Sequence, residues 1–115
     1  MSDLKAIKRQ LKIKSGTVQR LHKEHILYDK EVVQLRVKRE KLVADTEKAD
    51  DWEWDLKNAG KLIEESEKMV KDTETRLASA VEDLRGVLAG AKKQEELAED
   101  EDLLKAQEIL ETASA

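Results

Sequence analysis

From Leu4 to Leu42 the chain alternates steps of three and four residues between seam positions: Leu4, Ile7, Leu11, Lys14, Val18, Leu21, His25, Tyr28, Val32, Leu35, Arg39 and Leu42. Nine of the twelve are apolar, counting Tyr28. A period of 3.5 held this long predicts a helix over about 3–44 with one seam turned toward other helices. Gly16 is the weak point, since an interior glycine costs about 1 kcal/mol; Ser15 offers an alternative N-cap there, and continuity is the favoured reading. The pattern stops across Asp45–Asp51, where Asp50 and Glu53 have the spacing of a capping box. A second ladder, Trp52, Leu56, Ala59, Ile63, Ser66, Val70, Thr73, Leu77, Ala80, Leu84 and Val87, contains no charge and predicts a helix over about 51–90. After a turn within Gly90–Asp100, Leu103, Ala106, Leu110 and Ala113, flanked by Leu104 and Ile109, predict a third over about 98–113.

Two long helices with a short connection form an antiparallel hairpin. The third is long enough to cover only the end where the first begins and the second finishes. The expectation is an all-α, elongated three-helix bundle, two long antiparallel helices with a shorter third packed at one end, in a single domain spanning 1–115. Composition narrows the field in the same direction. With 3% aromatics, four glycines and no phenylalanine, a sandwich or barrel has little to be built from. The absence of cysteine removes disulfides, thiol catalysis and cysteine-ligated zinc. No stretch has the apolar length to span a bilayer, so an intracellular, membrane-free protein is expected.

Charge changes the picture more than its net value of −4 suggests. Residues 1–43 carry 12 Lys/Arg against 5 Asp/Glu, a surplus of +7; residues 44–115 carry 10 against 21, a deficit of −11. A basic arm alone would point to nucleic acid. Joined to an acidic remainder, and with Tyr28 its one aromatic, it points instead to helices that neutralise one another. Lys14 and Arg39 on the seam are expected to lay their methylenes along it and to meet acids across the bundle, such as Glu108 or Glu111.

Nothing in the chain resembles a catalytic constellation, and no cofactor is expected. His22 and His25 are neighbours on a helix surface but lack a third firm ligand, so no metal site is expected: His25 reads as a polar seam residue and His22 as solvated. More informative are apolar residues away from the seam. Ile26, Val33 and Val37 fall on one outer stripe of the first helix among Gln19, Lys23 and Lys30, with Ile13 and Leu27 on a neighbouring stripe. A row of aliphatics set among lysines is either a binding strip or a face covered by the third helix or a second copy of the chain. Trp52 is expected to staple the hairpin and Trp54 to offer a contact at its tip.

The stretch Leu11–Val32, LKIKSGTVQRLHKEHILYDKEV, resembles the opening helix of the tubulin-binding cofactor A family, small chaperones of the β-tubulin folding pathway. Ile13, Lys14, Gly16, Val18, Arg20, Leu21, Lys23, Glu24, Tyr28, Lys30 and Glu31 match the family pattern in order. Trp54-Asp55-Leu56-Lys57, Glu65-Ser66, Met69, Asp72, Arg76-Leu77, Ala80 and Asp83-Leu84 extend the likeness along the second helix, and Ala106 with Ile109-Leu110 along the third. The chain departs from the pattern at Lys71, where the family often has proline, which implies a straighter second helix, and in a longer acidic connection, Glu95–Asp102. The resemblance implies a cytoplasmic, cytoskeleton-associated chaperone that captures β-tubulin folding intermediates and hands them on in heterodimer assembly without catalysis. Other tubulin-folding cofactors are further partners it allows, and monomer or homodimer stays open. The surface argument assigns the contacts to Lys23, Ile26, Lys30, Val33 and Val37, with Trp54 and Met69 secondary. The alternative function is a generic coiled-coil scaffold or dimerisation module.

Overall fold

The first ladder forms helix α1, Ser2–Ala44, unbroken through Gly16; the second forms α2, Trp52–Lys92; a 3-10 turn over Glu95–Leu97 leads to α3, Glu101–Ser114. These elements come from a computed structural model that describes residues 2–114, with side chains from Asp3. No strand occurs among the described residues. Ser15 does not cap a helix start. Its hydroxyl donates back to the Lys12 carbonyl at 3.2 Å, which satisfies a buried polar side chain inside the helix. Nothing lies within 4 Å of where a Gly16 Cβ would stand. The glycine therefore marks no close approach, and packing on either side of it carries the helix.

The chain packs as two units, one made of the chain up to Lys23 with that from Thr75 onward, the other of Glu24–Glu74. In the first, all three helices contribute. Leu11, Val18 and Leu21 of α1 meet Ala80, Val81, Leu84, Leu88 and Ala91 of α2, and Leu97, Leu103 and Ala106 close the core. Leu11, Leu84 and Val18 are completely enclosed. Basic residues of α1 reach acids from beyond residue 44: Lys8 Nζ to Asp100 Oδ1 at 3.0 Å, Lys12 to Asp102 at 3.9 Å and Lys14 to Asp83 at 3.8 Å. Lys14 thus pairs across to α2 and not with Glu108 or Glu111 of α3, because its seam position faces α2. The order of Lys8 and Lys12 against Asp100 and Asp102 sets α3 parallel to α1. Exposed pairs contribute at most about 1 kcal/mol each, so their effect is on register more than on stability.

α3 begins at Glu101, three residues later than the spacing of its apolar ladder suggests. Residues 95–97 are taken into the 3-10 turn, and Asp100 is the true N-cap. Its Oδ2 accepts from the amides of Asp102 at 2.9 Å and Leu103 at 3.3 Å while Oδ1 faces Lys8. Burial acts against the charged carboxylate, but the Lys8 hydrogen bond, the two amides and the Lys8 charge outweigh it and hold Asp100 below its ordinary value of 3.8. The Lys8 ammonium is raised above 10.5, through its hydrogen bond to Asp100 and then the charges of that residue and its acidic neighbours. A depressed carboxyl stabilises the fold above its unfolded value and loses that contribution as pH falls through the folded one. The stability contributed by Asp100 is therefore whole above pH 3.8 and fades below it; that of Lys8 fades only above 10.5. Asp100→Asn keeps a capping oxygen but drops the charge, so its stability deficit in urea unfolding is expected to shrink as pH is lowered below 3.8. A deficit independent of pH would refute this assignment. Asp100→Ala also loses the cap, at about 1 kcal/mol.

In the second unit α1 and α2 pair alone. Val32, Ala59, Ser66 and Thr73 are buried along the seam; Tyr28, Leu35, Leu42, Leu56, Ile63 and Val70 are half-buried. Arg39, a seam position by spacing, is exposed. The antiparallel register is fixed by His25 against Thr73 (Nδ1 to Oγ1, 3.3 Å), by Arg36 Nη2 donating to Glu67 Oε1 at 2.6 Å, and by the Trp52 indole N–H donating to the Leu42 carbonyl at 2.6 Å. Trp52 thus staples the hairpin as its position predicted. The loop is tightened by Asp45, whose Oδ1 accepts from the Glu47 amide at 3.0 Å. The Asp55 amide donates to the Asp51 carbonyl at 2.8 Å, so the α2 ladder opens from Asp51, one residue after the Asp50 of the expected capping box.

Candidate partner-binding surface

Five of the seven residues assigned to the contact surface are large hydrophobics open to solvent: Ile26 is 41% exposed, Val33 60%, Val37 45%, Trp54 67% and Met69 38%. The third helix does not cover the strip, which removes one of its two mundane explanations. At 100° per residue, Ile26, Lys30, Val33 and Val37 keep to one side of α1, and all four lie in the 24–74 unit. Lys23 does not join them: it falls in the other unit, where with Gln19 and His22 it lines a cleft of about 300 Å³ against Lys105, Glu108 and Ile109 of α3. His22 is half-buried there and not solvated as its sequence position suggested.

The 24–74 unit carries a groove of about 810 Å³ between α1 and α2. Asp29, Lys30, Val33 and Arg36 form one side, Glu67, Lys71 and Glu74 the other, over a floor of Val32 and Val70. Lys30 and Val33 are the two expected contacts that line it. Met69 does not, because it turns about 100° from Val70 toward the flank opposite Lys71; nor does Trp54, at the start of α2. The seam polar group behind the groove is settled internally. Thr73 has one hydroxyl proton, directed to the Met69 and Val70 carbonyls at 2.9 and 3.0 Å, so its lone pair meets His25 Nδ1; His25 Nε2 lies 3.5 Å from Asp29.

The α2 side of the groove was missed by reasoning from spacing, although a signal for it exists. Glu67, Glu74, Val81 and Leu88 follow one another at intervals of seven. The last two are buried in the three-helix core, and the change from apolar to acidic along this series marks where α3 no longer covers α2. Chemically the surface offers aliphatic contact bordered by both signs of charge. Among the described residues there is no group of three or more His, Cys, Asp or Glu side chains arranged to hold a metal ion, and no helix long and apolar enough to cross a membrane.

Comparison with known proteins agrees with this architecture. The family model described as Tubulin binding cofactor A matches residues 6–110. The human protein named tubulin-specific chaperone A is 40% identical over 91 residues, which cover 79% of this chain and 81% of that protein. Among solved structures, human tubulin chaperone cofactor A superposes with a TM-score of 0.75 at 33% identity, covering 95% of this chain and 99% of that one. Tubulin folding cofactor A from Arabidopsis thaliana gives 0.79 at 31% identity, covering 95% and 96%.

Proposed function

The chain belongs to the tubulin binding cofactor A family, and from that premise we propose that it is a tubulin-folding cofactor that captures β-tubulin folding intermediates and hands them on to heterodimer assembly. The reading carries with it a cytoplasmic site of action, a single working domain over residues 1–115 and no chemistry on the client. The observation that supports it is the row Ile26, Val33 and Val37, exposed along α1 beside lysines in a unit with no third helix. An incompletely folded client exposes apolar surface that must be shielded reversibly. A strip of aliphatics gives affinity by removing that surface from water, and the flanking charges set register and rate of encounter. Lys30, Trp54 and Met69 are assigned to the rim of this contact, and Lys23 to the cleft beside α3.

The test is capture of β-tubulin by wild type and by a Val33→Glu/Val37→Glu double variant. Both positions are exposed helix surface, so helicity and thermal unfolding are expected to stay within about 0.5 kcal/mol of wild type. Burial of the two valines is worth roughly 3 kcal/mol, so capture is expected to weaken on the order of 100-fold. Undiminished capture by a folded double variant removes the strip from the mechanism. The dimerisation reading shares the same strip and differs in its consequence: sedimentation would then show a stable dimer, dissociated by the same two substitutions and not by tubulin.

A further inference from the structure

Where α3 is present, fixed heptad positions of the long helices receive it. On α1 the series Lys12, Gln19, Ile26 and Val33 advances by sevens. Lys12 faces Asp102 at 3.9 Å and Gln19 lines the cleft with α3, whereas Ile26 and Val33 stand 41% and 60% exposed. On α2 the corresponding series places Val81 and Leu88 in the core and Glu67 and Glu74 on the open groove. No residue of α3 belongs to the 24–74 unit. The register that elsewhere accepts a third helix thus carries aliphatic side chains on α1 and acids on α2 beside an 810 Å³ groove, and is left unfilled by this chain.

We propose that the groove receives an amphipathic α-helix of the client, laid against α1 and α2 as α3 is laid in the other unit. The inference rests on the tubulin-cofactor reading and deepens it by naming the kind of element bound. A strand is disfavoured because both walls are α-helices whose backbone groups are already paired, leaving no edge to extend. The α1 wall from Asp29 to Arg36 spans about 11 Å, two turns of helix, and the floor of Val32 and Val70 suits an i, i+3, i+4 row of apolar anchors. Charge fixes the flanks. Arg36 is paired with Glu67, so the charges that flank the occupant are Asp29 and Lys30 on the α1 side and Lys71 and Glu74 on the α2 side. An occupant with charges of both signs along each flank is complementary. The chain sets acids against α1 lysines itself, with Asp100 and Asp102 at the head of α3 meeting Lys8 and Lys12.

The experiment uses purified β-tubulin and the full chain carrying a photo-crosslinking phenylalanine analogue at position 33, at 74 or, as control, at 104, where Leu104 is 52% exposed in the other unit. Capture is expected in all three, with cross-links from 33 and 74 falling in one β-tubulin segment at residues three or four apart, and none from 104. Glu74→Lys is expected to weaken capture about three- to fivefold. Capture without cross-links from 33 and 74, or with cross-links scattered over several segments, overturns helix docking and leaves the cofactor reading intact. Cross-links to a second copy overturn it in favour of self-association. Failure of the wild-type chain to capture β-tubulin overturns both readings.

Discussion

Leu84→Ala is expected to lower the stability of the protein by about 3 kcal/mol and its melting temperature by roughly 10–15 °C. Leu84 is wholly enclosed, at 0% exposure, in the one part of the structure where three helices meet. Its neighbours come from α1, α2 and α3, so removing three carbons leaves a void that no single helix can fill by shifting. The cost is the transfer free energy of the lost side chain plus that of the residual cavity, on the order of 24 cal/mol per Å³. Leu104→Ala is the control: the same deletion at 52% exposure on α3 is expected to cost less than about 0.5 kcal/mol. Thermal and urea unfolding followed by helical circular dichroism measure both. A loss below 1 kcal/mol for Leu84→Ala would mean that the three-helix core does not hold the fold.

That core was only half legible in the sequence. The 3-4 spacing of Leu11, Val18, Leu21, Ala80 and Leu84 marks the seam between α1 and α2, because a seam between two long helices repeats many times and each repeat reinforces the last. Val81 and Leu88 lie just off that spacing and are buried where α3 arrives beside them. Such a stripe is two residues long and is indistinguishable from ordinary surface aliphatics until the third helix is placed. The start of α3 was hidden for a different reason. Glu95–Asp102 is rich in acids that favour a helix N-terminus equally, and only the geometry of Asp100 with Lys8 and two amides singles one out.

The contact surface divides the same way. Ile26, Val33 and Val37 could be named because aliphatics off the seam stand out on a mostly polar helix surface. Glu67, Lys71 and Glu74 could not, since charges on a helix surface are what the pattern predicts; they gain meaning from Val33 across the groove and Val70 in its floor. Lys23 was grouped with the strip by its spacing, and the structure assigns it to the cleft beside α3, since the helix that shares its stripe changes neighbours within one turn.

Trp52→Ala is expected to cost about 3 kcal/mol, and to cost it locally. The indole N–H caps a carbonyl in the last turn of α1, donating to Leu42 O at 2.6 Å, while Lys48 Nζ sits 4.7 Å from the ring centroid. The 24–74 unit has few other anchors, its buried apolar residues being Val32 and Ala59. Amide hydrogen exchange should therefore accelerate across residues 24–74 while those around Leu84 and Leu103 keep their protection. Equal acceleration in both units would show that the staple does not act locally. Trp52→Phe keeps the ring and loses the donor, so about 1 kcal/mol is expected. The neighbouring tryptophan separates support from contact. Trp54 is 67% exposed, so Trp54→Ala is expected to leave exchange unchanged and to weaken β-tubulin capture directly. Trp52→Ala weakens capture only through the loosened strip, and lowering the temperature should restore it. Capture that stays impaired in Trp52→Ala once exchange protection has returned would make Trp52 itself a contact, and the staple only part of its role.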